Sequence, residues 1–167
     1  MRIAEMLLPE FDEETKGTRK VLARLPEEQF DWQPHPKSMS LGKLANHVVD
    51  MVGWGAMTLR ETEFDIAPEG GAAWQLPNRT TREALLAAFD ANAAETRAAL
   101  AAADDADFGV PWTLRAGAQV YFTLPRATVL RSMVFNHLVH HRAQLTVYLR
   151  LLDVPVPGLY GPSADEQ

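Results

Sequence analysis

Apolar residues recur at steps of three and four in four separate stretches of this chain, a period that commits most of it to amphipathic helices. Phe11, Thr15, Thr18, Leu22 and Leu25 share one face of the first stretch, with Pro9 suited to its first turn and Pro26 ending it. Ser40 caps a second helix to about Leu59, whose apolar stripe is Leu41, Leu44, Val48, Met51 and Val52. Thr80 and Glu83 have capping-box spacing at the start of a third, which carries Leu85, Leu86, Phe89, Ala93, Thr96 and Leu100. Pro125, at a first-turn position, opens a fourth that runs to about Leu152 and stops at VPVPG.

The connections are long but marked. EEQFDWQPHPKSM is rich in proline and aromatics, which predicts an ordered cover over the helix ends with Trp32 packed inward. Residues 110–124, VPWTLRAGAQVYFTL, alternate around Ala116-Gly117 and predict a small β-hairpin before the last helix. The expected fold is all-α: a four-helix bundle with long crossover loops, built as a single domain over residues 1–167. A chain of this length buries enough surface, about 70%, to support its own core. The final PVPGLYGPSADEQ is either a frayed tail or a strap folded across the bundle mouth.

Composition narrows the function. Lys and Arg total 16 against 22 Asp and Glu, a formal charge of −6, and no dense basic stripe is present to neutralise phosphates, so nucleic acid is not an expected partner. There is no cysteine, which removes disulfides, thiolate metal ligands and a cysteine nucleophile together. MRIAEMLLPEFDEET turns acidic after eight residues and no 18-residue apolar run occurs, so neither a targeting segment nor a membrane span is expected, and the reading is cytoplasmic.

The fourth stretch contains MVFNHLVHHRAQLTVYL, with three of the chain's five histidines inside five positions. At about 100° per residue from His137, the buried residues Leu130, Tyr148, Val134, Leu152 and Leu145 centre near 40°. His141 falls on that centre and His137 at its edge, while His140 lies on the flank. Spacing of i and i+4 stacks two imidazoles one turn apart, so both can reach a single cation. A third ligand has to come from another helix, and His47, at the stripe edge of the second helix, is placed for it. Three neutral imidazoles leave open the coordination positions that a catalytic metal needs. The plainer alternative is that these histidines are hydrogen-bonded core residues, although burying two adjacent imidazoles without a partner costs about 1–3 kcal/mol for each unsatisfied group.

Several familiar sites are absent. The HExxH base position is Leu138, no GxSxG or phosphate-binding glycine loop occurs, and the helices carry no Glu-x-x-His pair for a di-iron centre. Arg142 lies beside a second apolar stripe of Phe135, Leu138 and Leu149, which packs against another helix or another subunit. It either binds an anionic substrate or forms a structural ion pair. Asp50, one turn after His47, is either an acceptor that orients that ring or a solvated carboxylate, and His35 reads as a surface histidine.

Two blocks resemble a known family. LLPEFDEETKGTRKVLARLPEEQFDWQPHPKSMSLGKLANHV and LPRATVLRSMVFNHLVHHRAQLTVYLRLLDVPVPGLYGPSADE resemble the DinB-like (DinB/YfiT) superfamily of metal-binding four-helix-bundle proteins, which is unrelated to the DNA polymerase sharing the name. The resemblance implies that His47, His137 and His141 bind one divalent ion, often nickel or zinc; imidazoles alone admit iron or copper as well. It implies a metal-dependent thiol S-transferase, with a bacillithiol- or mycothiol-type cosubstrate and a small electrophile, acting in stress response or detoxification. A noncatalytic metal-binding stress-response protein is the alternative. It also implies a homodimer. No catalytic base is assigned, and Arg142 is carried as the substrate-binding candidate.

Overall fold

Leu7 and Phe11 lie one turn apart and are almost fully buried, as is Ala4 one turn earlier, so the first helix begins well before its proline. The computed structural model describes residues 2–166, and the two end residues of the expected 1–167 domain lie outside it. Helix α1 spans Ile3–Leu22, which places Pro9 inside it rather than in its first turn. Pro9 has no N–H to donate to the preceding turn, and burial of Ala4, Leu7 and Phe11 outweighs that loss. The N-terminal orphan N–H of Ile3 finds an acceptor far along the chain, in the Asp105 carboxylate at 2.7 Å.

Helix α2 spans Leu41–Arg60 and starts as expected, the Ser40 hydroxyl accepting from the Lys43 N–H. Helix α3, Arg82–Ala102, is capped by Thr81, not Thr80: the Thr81 hydroxyl accepts from Ala84 N–H at 3.1 Å. Thr80 alone has a glutamate three residues on, but either threonine can cap, and the extended backbone and hydroxyl bond at Thr81 make it the cap. The two helices approach closely at Gly55, where an added Cβ would lie 2.3 Å from Thr96 Cγ2. Thr96 uses that proximity, accepting from Ala56 N–H and donating to the Val52 carbonyl.

The last rod has three parts. Pro125 is its N-cap rather than a first-turn residue, α4 covers Arg126–Val129, a π-helical stretch covers Leu130–Asn136, and α5 covers His137–Leu151. Nothing in the sequence signals the π-helical stretch, which ends at the first histidine of the pair and is a common feature beside functional sites.

Helix α3 packs on both α1 and α2, and α5 packs on both from the other side. Between them lies one apolar core containing Phe11, Leu44, Val48, Phe89, Phe135, Leu145 and Leu149. Phe11 and Phe135 meet at 5.7 Å between ring centroids. The stripe of Phe135, Leu138 and Leu149 is therefore buried within the chain, against another helix. Trp32 is half-buried against this core, its ring edge-on to Tyr148 at 5.5 Å.

The expected hairpin is present as β2 (Pro111–Ala116) and β3 (Gln119–Pro125), turning at Gly117 with φ of +54°. A third strand, β1 (Glu63–Asp65), pairs parallel to β2, so the fold is mostly helical with a small sheet and not purely α. Asp65 carries that docking, accepting from Gly117 N–H and pairing with Arg115. Among the described residues no helix is long and apolar enough to cross a membrane.

The tail is a strap. Asp165 accepts from both Arg150 and Val156 N–H, and Glu166 accepts from Gly158 N–H. These bonds hold both carboxyls below their usual range, Asp165 through Arg150 first and Glu166 through the Gly158 N–H first. Tyr160 reaches back to α1, where its hydroxyl donates to Glu14.

Candidate metal centre

Helices α2 and α5 bring three imidazoles together, the His47 ring edge-on to the other two. His47 comes from the middle of α2, and His137 and His141 stand one turn apart on α5. The ring centroids of His47 lie 5.3 Å from His137 and 4.7 Å from His141, and those of the α5 pair are 4.6 Å apart. One ring nitrogen from each of the three lies within 4.8 Å of the others, and the Nε2 atoms of His137 and His141 are 2.9 Å apart. His141 is 8% exposed and the other two are half-buried, so the cluster sits at the edge of the core and not in bulk solvent.

The electrostatics favour uncharged rings. Burial lowers the pKa of His47 to about 4, with the His141 and His137 rings opposing its charge further. Burial also lowers His137, assisted by His141 and opposed by the nearby Met133 carbonyl, and it lowers His141, opposed by a bond to Gln144. Neutral imidazoles carry free lone pairs, the form that ligates a cation. Two nitrogens 2.9 Å apart can share an ion at bonds of about 2.0–2.1 Å, and His47 offers a third nitrogen within 4.8 Å of them. Within the cluster, His137 Nδ1 is buried with no hydrogen-bond partner of ordinary geometry among the described residues. The donor set therefore fits a divalent ion of intermediate softness: zinc, nickel, iron or copper.

The remaining sequence candidates lie elsewhere. Arg142 is 2% exposed and faces α1, where Nη1 pairs with the Glu14 carboxylate at 2.7 Å and Nη2 donates to the Tyr160 hydroxyl. Its guanidinium is held in an ion pair on the side of α5 away from His47. Asp50 makes no hydrogen bond to His47 among the described residues; burial raises its pKa, while Trp54 and Arg79 beside it pull the other way. His140 is exposed on the flank of the cluster, its ring 4.8 Å from that of His141. His35 is exposed in the loop, where it accepts from Lys37 N–H.

One residue of the site escapes the sequence reading. Gln144 places Oε1 2.6 Å from His141 Nδ1 and Nε2 3.3 Å from His140 Nε2. Its position, three residues after one histidine and four after the other, is the only signal, and it is shared by any polar residue on a helix flank. A crevice of about 690 Å³ lies between α1, α3 and the tail, lined by Thr15, Lys16, Arg19, Phe89 and Glu166. No histidine lines it, and the donor chemistry makes the imidazoles the candidate site instead.

Comparison with known proteins agrees with this geometry. A family model described as the DinB superfamily matches residues 10–145, a span that contains all three histidines. A DinB-like protein from Bacillus cereus ATCC 10987 has a crystal structure that superposes with a TM-score of 0.69 at 25% identity, covering 95% of this chain and 98% of that one. A second, the DinB-like protein YjoA from Bacillus subtilis, superposes with a TM-score of 0.66 at 16% identity over 90% of this chain and 95% of that one. The uncharacterized protein YrdA of Bacillus subtilis (strain 168) is 40% identical over 43 residues, which is 26% of this chain and 25% of that protein's length.

Proposed function

The chain belongs to the DinB superfamily, and within it we propose a metal-dependent thiol S-transferase built as a four-helix bundle. His47, His137 and His141 would hold one divalent ion, with zinc or nickel the leading candidates. The observation that carries this reading is the convergence of three neutral imidazoles from two helices, one ring nitrogen of each within 4.8 Å of the others.

When bound, such an ion lowers the pKa of a coordinated thiol or water and so supplies a nucleophile near neutral pH. The chain's own part is to present three uncharged nitrogens and to leave one side of the cluster open toward exposed His140. With no cysteine in the chain, the reacting sulfur has to arrive on a cosubstrate, of bacillithiol or mycothiol type, and the acceptor is a small electrophile. This chemistry fits a role in detoxification or stress response, and a homodimer in the cytoplasm is proposed with it. The buried stripe of Phe135, Leu138 and Leu149 does not supply the dimer face. Incubation of zinc- or nickel-loaded protein with low-molecular-weight thiols and a panel of electrophiles tests the reading. Turnover that exceeds that of His137→Ala supports it, and turnover equal to that variant removes it.

A noncatalytic metal-binding role is the second reading, and one observation favours it. Among the described residues no carboxylate is hydrogen-bonded to the triad, Asp50 facing Trp54 and Arg79 instead, so no carboxylate base stands beside the cluster.

A further inference from the structure

An amide oxygen only accepts, so the 2.6 Å contact from His141 Nδ1 to Gln144 Oε1 requires a proton on that nitrogen. His141 is then the Nδ1–H tautomer and its Nε2 is a bare lone pair. That lone pair lies 2.9 Å from His137 Nε2, so it points at the position an ion shared by the two rings would take.

Resting on the metal-centre reading above, we propose that Gln144 is the positioning residue of the site. It fixes the tautomer of His141 and keeps the lone pair at Nε2 turned toward the ion. On its other side Gln144 Nε2 donates to His140 Nε2, so a single amide orders both rings and the orientation of each supports the other.

Long-range proton–nitrogen NMR on the metal-free protein reads the tautomers directly. The expected result is Nδ1–H at His141 in the wild-type chain. Gln144→Met removes the acceptor at similar size, so His141 should become a tautomer mixture and zinc affinity should fall roughly 10- to 100-fold. Gln144→Glu keeps an acceptor and should restore both, with far-UV circular dichroism unchanged across the set. A wild-type His141 found as Nε2–H, or a Gln144→Met variant that binds zinc as tightly as wild type, overturns the proposal. Because the tautomers are read without metal, failure of the wild-type protein to bind zinc counts against the metal centre alone, and the NMR result still decides the role of Gln144.

Discussion

His137 and His141 aim their Nε2 atoms at each other across 2.9 Å, one turn apart on α5, with His47 of α2 completing the triangle. In water such a pair has little reason to form, since each ring gives up solvent for a weak partner. A shared cation would give it one, and the predictions below follow from the three neutral rings and their surroundings.

The first is an acid-sensitive fold in the absence of metal. Unfolded histidines titrate near about 6.5, whereas His47 in the folded chain titrates at about 4 and His137 and His141 also lie low. Between those values the unfolded state binds more protons, so stability is complete above about pH 6.5 and is lost as pH falls toward about 4. Denaturant melts of chelated protein across this range should show the decline. A His47→Gln/His137→Gln/His141→Gln triple variant should flatten it, and an equally steep decline in that variant would place the effect elsewhere.

Arg142 and Glu14 form the second prediction. The guanidinium is 2% exposed, and among the described residues its hydrogen-bond partners besides the carboxylate are the Glu14 carbonyl and the Tyr160 hydroxyl. Glu14→Gln leaves that charge unpaired, and unfolding free energy should drop by about 3 kcal/mol. Tyr160→Phe removes one hydrogen bond to a charged group and should cost about 1.5 kcal/mol or less. Zinc affinity should be unchanged in both, because this pair faces α1; a tenfold loss of zinc binding in Tyr160→Phe would return Arg142 to the site.

Two adjacent threonines separate the local pattern from the folded answer. Thr81→Ala should destabilise the protein by about 1 kcal/mol, because its hydroxyl caps α3, while Thr80→Ala should change stability by less than half that. Thermal or urea unfolding of the two variants side by side is sufficient, and the reverse order would restore the cap to Thr80.

How much of this was legible beforehand depends on the range of the interaction. Helical periodicity located all four rods and placed His137 and His141 on the buried face of the last, because both signals are confined to a few turns of one helix. Alternation likewise revealed the hairpin. Strand β1 was invisible, since three residues carry no period and Glu63–Asp65 is strand only because β2 pairs with it. The start of α1 was misplaced because proline is a local stop sign, whereas burial of Ala4 and Leu7 is decided by distant helices. Arg142 could be read two ways until Glu14, 128 residues away, was brought against it. Gln144 was missed for the opposite reason: its spacing is local, but only the facing ring nitrogens give that spacing a meaning.

The metal content of the protein, purified without a histidine tag and measured by elemental analysis, tests the central claim most directly. One divalent ion per chain, lost or weakened at least tenfold in each of His47→Ala, His137→Ala and His141→Ala, is the result predicted. A wild-type protein that neither carries nor takes up zinc or nickel, or variants that retain a full equivalent, would contradict it.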